Sequence, residues 1–220
     1  IKANMLNYSK VYFLIKNIKP QIIYHLAADT TGITNNKFSL HRSTSNNLIF
    51  IENLYNSIND NKTKVIIGTT NAEYKNIEGK VNENSSCQPS FNTYGLSKLS
   101  ATLKALQFAE IKNIKTAVIR IFNPIGPYDA EHKLLSQVIK ALKENKPIDL
   151  SPCTHKRDFI YIDKLVNGMV KIIKLLNITK KKSIIINLCY GKPTEIKKIL
   201  LIIANGLNAD KEILNFGKLN

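Results

Sequence analysis

The chain has no tryptophan, only nine glycines and three cysteines in 220 residues, and half as many acidic side chains as basic ones, 16 against 32. Each scarcity excludes something. Cys87, Cys153 and Cys189 are odd in number, far apart and form no CxxC, which argues against a disulfide framework and a cysteine zinc site. His25, His41, His132 and His155 are equally scattered, no HExxH occurs, and no metal is expected. No apolar run approaches the ~18 residues of a membrane helix, and the first residues lack a charged segment followed by an apolar one, so a cytoplasmic protein with no membrane partner is expected. The glycines begin at Gly32 and form neither GxGxxG nor GxxGxxG, the turn that holds a pyrophosphate at a helix N-terminus.

The net charge of +16 raises the question of nucleic acid. The lysines are spread along the whole chain among abundant Ile and Asn. Their densest cluster, Lys180 to Lys182, has no interleaved aromatic residues to form a base-stacking platform. A solvated basic surface is expected instead, compatible with attraction for phosphorylated small molecules. With 44% hydrophobic residues the chain is not disordered, and its length suits one large domain or a domain and a half.

What is present is a regular alternation of apolar spacings. Val11, Leu14, Ile15 and Ile18 recur at helical spacing, Pro20 stops that helix, and Gln21 to Ala28 reads as a buried strand. Leu48, Ile51, Tyr55 and Ile58 mark a second helix before the strand Lys64 to Thr69. Leu99, Leu103 and Leu106 mark a third before the strand Thr116 to Phe122. Helix and strand alternating through short joins predict parallel strands with right-handed crossovers, hence an α/β fold with a Rossmann-like doubly wound parallel sheet.

After Pro124 the pattern loosens. A helix over Leu134 to Leu142, extended pieces at Pro147 to Leu150 and Asp158 to Ile162, a helix over Val166 to Ile173, a strand Ile184 to Leu188 and a last helix over Ile196 to Ile203 are expected. The division expected is a dinucleotide-binding part over 1–124 and a smaller C-terminal substrate-binding part over 125–220, partly interleaved with the sheet. Opening on a helix, without the glycine turn or a start Met, predicts that the first strands are missing, about 50–60 residues at ~25–30 per strand–helix unit.

Tyr94-Gly-Leu-Ser-Lys98 carries the strongest chemical signal. Residues at i and i+4 share a helix face, so the ammonium of Lys98 can lie beside the phenol of Tyr94 and favour phenolate, as suits a general acid/base for alcohol–ketone chemistry. Upstream, Gly68-Thr69-Thr70 puts hydroxyls at the carboxyl end of a strand, where α/β sheets bind ligands. Taken singly, each has a plainer account: a surface Tyr with a solvated Lys, and a strand end with local capping bonds.

In order along the chain come His25-Leu-Ala-Ala28, Asn47, Thr70 with Tyr74, Tyr94 with Lys98, Arg120-Ile-Phe-Asn-Pro-Ile-Gly-Pro127, Arg157-Asp-Phe-Ile-Tyr-Ile-Asp163 and Asn187-Leu-Cys-Tyr-Gly191. The series resembles the extended short-chain dehydrogenase/reductase superfamily, in its NAD-dependent nucleotide-sugar epimerase/dehydratase/reductase branch. The resemblance implies NAD or NADP as cofactor and a nucleotide-diphosphate sugar as substrate. It also implies a homodimer formed by the helices over Leu48 to Ile58 and Leu99 to Phe108, and a role in surface-polysaccharide or lipopolysaccharide sugar biosynthesis. Tyr94 is then the acid/base, Lys98 lowers its pKa and bonds the nicotinamide ribose, and Thr70 bonds the substrate oxygen. Ala27 and Ala28 match small residues that let the cofactor lie close, and Asn47 a helix-start residue near it. Phe122 and Pro124 match the turn beside the nicotinamide, Asn123 faces the sugar diphosphate, and Arg157 clamps that diphosphate.

Plainer accounts remain for several of these: His25 packs or caps a strand end, Arg157 and Asp158 form a local ion pair, and Asn123-Pro124 is a loop turn. The segment Asp29 to Asn36 resembles GDP-sugar enzymes, while Ser151 to Asp163 resembles CDP- or UDP-sugar enzymes, leaving the base open. Two rivals stand beside the enzyme: a truncated, non-catalytic relic and a basic nucleic-acid-binding module.

Overall fold

Asn7 starts the first helix by accepting the amide of Lys10 on its side chain, and Lys19 ends it in a left-handed conformation whose N–H returns to the Ile15 carbonyl. The computed structural model describes residues 2–31, 37–75, 79–89 and 93–219, the side chains of 37–40 apart. The residues 32–36 of the segment that resembles GDP-sugar enzymes lie outside the described residues. In chain order the elements are α1 (Tyr8–Ile18), β1 (Ile22–His25), α2 (Lys37–Ser57), β2 (Lys64–Thr70), a 3-10 turn (Asn71–Glu73), α3 (Thr93–Lys112), β3 (Thr116–Ile121), β4 (Pro124–Ile125), α4 (Leu134–Glu144), β5 (Ile148–Leu150), β6 (Lys156–Arg157), β7 (Ile160–Tyr161), α5 (Ile162–Ile178), β8 (Ser183–Leu188), β9 (Thr194–Glu195), α6 (Ile196–Gly206) and β10 (Leu214–Phe216).

The chain forms two compact units, Ile1–Phe122 with Asn167–Leu188, and Asn123–Val166 with Cys189–Asn220. In the first, four parallel strands lie in the order β1-β2-β3-β8, with Ile67 paired to His25 on one side and Val118 on the other, and Ile119 to Ile186. The two middle strands are buried along almost their whole length, which is why they read as unbroken apolar runs. Val65 and Ile67 point into a core with Ile51, Leu54, Tyr55 and Ile58 of α2 and Ala101 and Ala105 of α3. Tyr24, on the opposite side of β1 from Ile23, donates to the Met169 carbonyl of α5 at 3.3 Å, so a helix covers each face. This is the doubly wound α/β sheet expected. The second unit has its own core, in which Val138 and Leu142 of α4 meet Leu150, Leu200, Ala204 and Leu214, with β5 parallel to β10.

Three expectations need correction. The strand expected over Gln21 to Ala28 ends at His25, because the chain then leaves the ladder for a turn whose Asp29 backbone is bound by Asn47. The second helix begins at Lys37, far ahead of Leu48, since its first ten residues are mostly polar and show no apolar stripe. The extended piece expected over Asp158 to Ile162 is limited to Ile160–Tyr161: Asp158 accepts two backbone amides in a turn, and the helix starts at Ile162.

Candidate active site

The carboxyl ends of the parallel strands bring His25, Thr70 and Ile121 to one edge of the sheet, and α3 begins beside it. Gly95 makes the approach possible. A Cβ there would stand 2.2 Å from the Ala72 carbonyl oxygen and 2.9 Å from Pro89 Cβ, so the first turn of α3 can lie against the Asn71–Glu73 turn only with glycine at this position. Tyr94, one residue earlier, thereby comes within reach of Thr70, whose hydroxyl favours its ionised form. Thr70 also accepts the amide of Ala72 at 3.2 Å, capping the turn.

Burial raises the Tyr94 phenol above its ordinary value, the Thr70 hydroxyl opposes this, and the negative charge of Glu73 adds to it. Lys98, one helical turn on, is 4% exposed and donates from Nζ to the Gly68 carbonyl at 2.9 Å. Burial lowers its ammonium to about 8, with Glu73 pulling the other way. Its bond therefore goes to the strand end, and Lys98 is not among the groups that shift Tyr94. His25 lies edge-to-face with Phe50 at 6.3 Å and is lowered to about 4, first by burial and then by the Lys98 charge, so it is neutral at neutral pH.

Ala27 is exposed and Ala28 half-buried just beyond β1. Asn47 is not a helix-start residue. It is buried in the middle of α2, where Oδ1 accepts the Asp29 amide at 2.8 Å and Nδ2 donates to the Asp29 carbonyl at 3.1 Å and to Ser97 Oγ at 3.3 Å. That amide joins the turn after β1 to α2 and α3, and its polar atoms are taken up by the protein itself. Phe122, half-buried, lies 6.3 Å from the Tyr74 ring.

In the second unit Asn123, at a φ of 21°, donates from Nδ2 to the Asp158 carbonyl at 2.9 Å and accepts the Ile160 amide. Pro124 is exposed on β4. Arg157 is exposed on β6, and no ion pair with Asp158 forms. The Asp158 carboxylate instead accepts the amides of Tyr190 and Gly191, each at 2.8 Å, and the guanidinium has no partner among the described residues.

Sequence reasoning did not assign Glu73, Thr102 or Arg120. Glu73 is fully buried, with Thr102 Oγ1 at 2.7 Å on one oxygen and Arg120 Nε at 2.8 Å on the other. One signal was available: a charged residue inside the apolar run Thr116 to Phe122 requires a buried partner.

The residues at the sheet edge fit a bound dinucleotide. Thr69, next to Thr70, has a buried hydroxyl with no partner among the described residues, and Lys98 has donors beyond its one bond to Gly68. Among the described residues no group of three or more His, Cys, Asp or Glu could hold a metal ion, and no helix is long and apolar enough to cross a membrane.

A parallel sheet covered on both faces, with its polar cluster at the carboxyl edge, defines a Rossmann-type α/β protein. The chain belongs to the NAD-dependent epimerase/dehydratase family, whose family model matches residues 1–189. It is 24% identical over 175 residues, 79% of the chain and 54% of the relative, to an uncharacterized UDP-glucose epimerase, YtcB, of Bacillus subtilis. It is 32% identical over 99 residues, 45% of the chain and 33% of the relative, to the CDP-abequose synthase of Salmonella muenchen. The chain thus spans about half or less of these relatives. Among solved structures, UDP-glucuronic acid 4-epimerase of Bacillus cereus, in complex with UDP-glucuronic acid and NAD, matches 98% of the chain and 67% of its own length at a TM-score of 0.83 and 24% identity. The dTDP-glucose 4,6-dehydratase of Bacillus anthracis, in complex with NAD, matches 98% and 66% at 0.81 and 19%.

Proposed function

We propose that the protein carrying this chain uses NAD or NADP to epimerise, dehydrate or reduce the sugar of a nucleoside diphosphate, with Tyr94 as acid/base. The observation that carries the reading is the Tyr94–Thr70 contact at the carboxyl edge of the sheet, with Lys98 buried one helical turn away. The names of the relatives, which act on UDP-, CDP- and dTDP-sugars, support the substrate class.

When bound, the nicotinamide accepts or returns a hydride. Tyr94 Oη handles the proton. Held protonated by burial, the phenol is the form that donates to a carbonyl oxygen as a keto sugar is reduced. Oxidation of a sugar hydroxyl requires the phenolate, which the positive ring of an oxidised nicotinamide would favour. Thr70 Oγ1, beside the phenol, orients the reacting sugar oxygen. Lys98 offers its remaining N–H groups to ribose hydroxyls, and Thr69 its hydroxyl. Ala27 and Ala28 leave room beside the strand end. Arg157, with no partner among the described residues, is suited to the substrate diphosphate, and Asn123, Phe122 and Pro124 complete the proposed contacts.

The protein works as a homodimer through the outer faces of α2 and α3, where Leu96, Leu103 and Ile111 are exposed and Leu48, Leu103 and Lys104 line a shallow hollow. Its setting is the synthesis of sugars for surface polysaccharide in the cytoplasm.

Incubation with NAD and, separately, NADPH against UDP-, CDP-, dTDP- and GDP-hexoses, read by NMR of the sugar ring, tests the reading. Inversion at a ring carbon, loss of water or net reduction is expected with one base series. No change in any sugar would contradict it.

A further inference from the structure

Glu73 is buried completely, and its two oxygens are held by two different elements. Thr102 lies one helical turn beyond Lys98 and two beyond Tyr94 on the same face of α3, so the Thr102 bond docks the carboxylate directly under the proposed acid/base pair. Arg120 of β3 supplies the countercharge. Its Nη1 donates to Tyr74 Oη at 2.9 Å, and its guanidinium stands 4.6 Å from the Tyr74 ring centroid. Tyr74 in turn donates to Asn187 Oδ1 of β8 at 2.6 Å. One carboxylate therefore ties the turn that follows Thr70 to α3 and, through Arg120, to two neighbouring strands.

Stability alone is a weak reason for such a pair, since packed apolar side chains of similar volume hold a core equally well or better. What an apolar replacement would lack is negative charge next to Lys98. We propose that Glu73 is a positioning residue for the acid/base pair: its carboxylate, held by Thr102 on the Lys98 face of α3 and by Arg120 of β3, fixes the turn that carries Thr70 and sets negative charge on the side of the Lys98 ammonium. The inference rests on the reading of Tyr94, Lys98 and Thr70 given above and adds a residue to it.

The groups around Lys98 leave that task to Glu73. His25, from the end of β1, is neutral at the relevant pH, and Tyr94, on the same helix, is a neutral phenol. α2 presents the uncharged Asn47, bonded to Ser97. Arg120, from β3, and Cys87, whose thiol burial pushes up, both act on the Glu73 side of the cluster. Against burial, which brings Lys98 down to about 8, Glu73 is the one anion among the described residues that acts on it.

The test is a pH titration of the protein labelled with 13Cε-lysine, the Lys98 resonance being assigned through Lys98→Arg. Glu73→Gln keeps the shape and can still accept from Arg120 and donate to Thr102 while removing the charge. The Lys98 midpoint should fall by about one unit or more. Thr102→Val removes a bond to Glu73 but keeps the charge, and should leave the midpoint in place. An unmoved midpoint in folded Glu73→Gln, or an equal fall in Thr102→Val, overturns the proposal. Should Glu73→Gln fail to fold, the carboxyl 13C shift of Glu73 in the unaltered protein decides: it must be that of a carboxylate wherever Lys98 titrates, and a protonated carboxyl overturns the proposal. None of these readouts is activity, so they stand apart from any failure of Tyr94 as acid/base.

Discussion

Gly95 stands so close to Ala72 that a Cβ on it would lie 2.2 Å from the Ala72 carbonyl oxygen. The contact is backbone against backbone, and no side-chain adjustment can relieve it. Gly95→Ala must therefore shift the first turn of α3 from the Asn71–Glu73 turn, parting Tyr94 from Thr70. A stability loss of about 1–3 kcal/mol is expected from the overpacking. Turnover should fall further than that loss alone would cause. Denaturant titration and kinetics on the same variant check it, and wild-type values for both would show that the close approach is dispensable.

His25 ties stability to pH. Burial lowers it from 6.5 to about 4. Between those values the unfolded imidazole binds a proton and the folded one does not, so stability falls as pH falls through that window, by up to about 3 kcal/mol. Urea unfolding across the window should show the slope, and His25→Gln should flatten it. The same slope in the variant would assign it to other groups.

Much of this could be read from the residues, and the omissions have physical causes. The middle strands, enclosed on both faces, show as Lys64 to Thr69 and Thr116 to Phe122 and agree with β2 and β3 to within a residue. The start of α2 could not be seen, because Lys37 to Asn46 carries almost no apolar periodicity. β10 escaped notice because three residues are too few to show a pattern. In the site, Tyr94, Lys98 and Thr70 stand out because their chemistry depends on local spacing. The partners of Asn47 and Glu73 lie 18 and 50, and 29 and 47, residues away in sequence, where spacing is silent.

Arg157 should act on one substrate and not the other. With Asp158 engaged by the Tyr190 and Gly191 amides, its guanidinium has no partner among the described residues and can take a diphosphate. A charge-assisted contact of that kind contributes on the order of 1.5–3 kcal/mol, so Arg157→Ala should raise KM for the nucleotide sugar about tenfold or more. Affinity for the dinucleotide should be nearly unchanged. An unaltered KM in steady-state kinetics would remove the assignment.

The central claim is that the Tyr94 phenol moves the proton, and Tyr94→Phe removes that group while leaving the ring. The decisive measurement is turnover of a nucleotide sugar by Tyr94→Phe in the protein that carries this chain, with dinucleotide affinity measured alongside by calorimetry. Turnover should fall by about 10²–10⁴-fold with cofactor affinity nearly intact, the usual range for a general acid/base. A variant that keeps more than about a tenth of the activity would contradict the account.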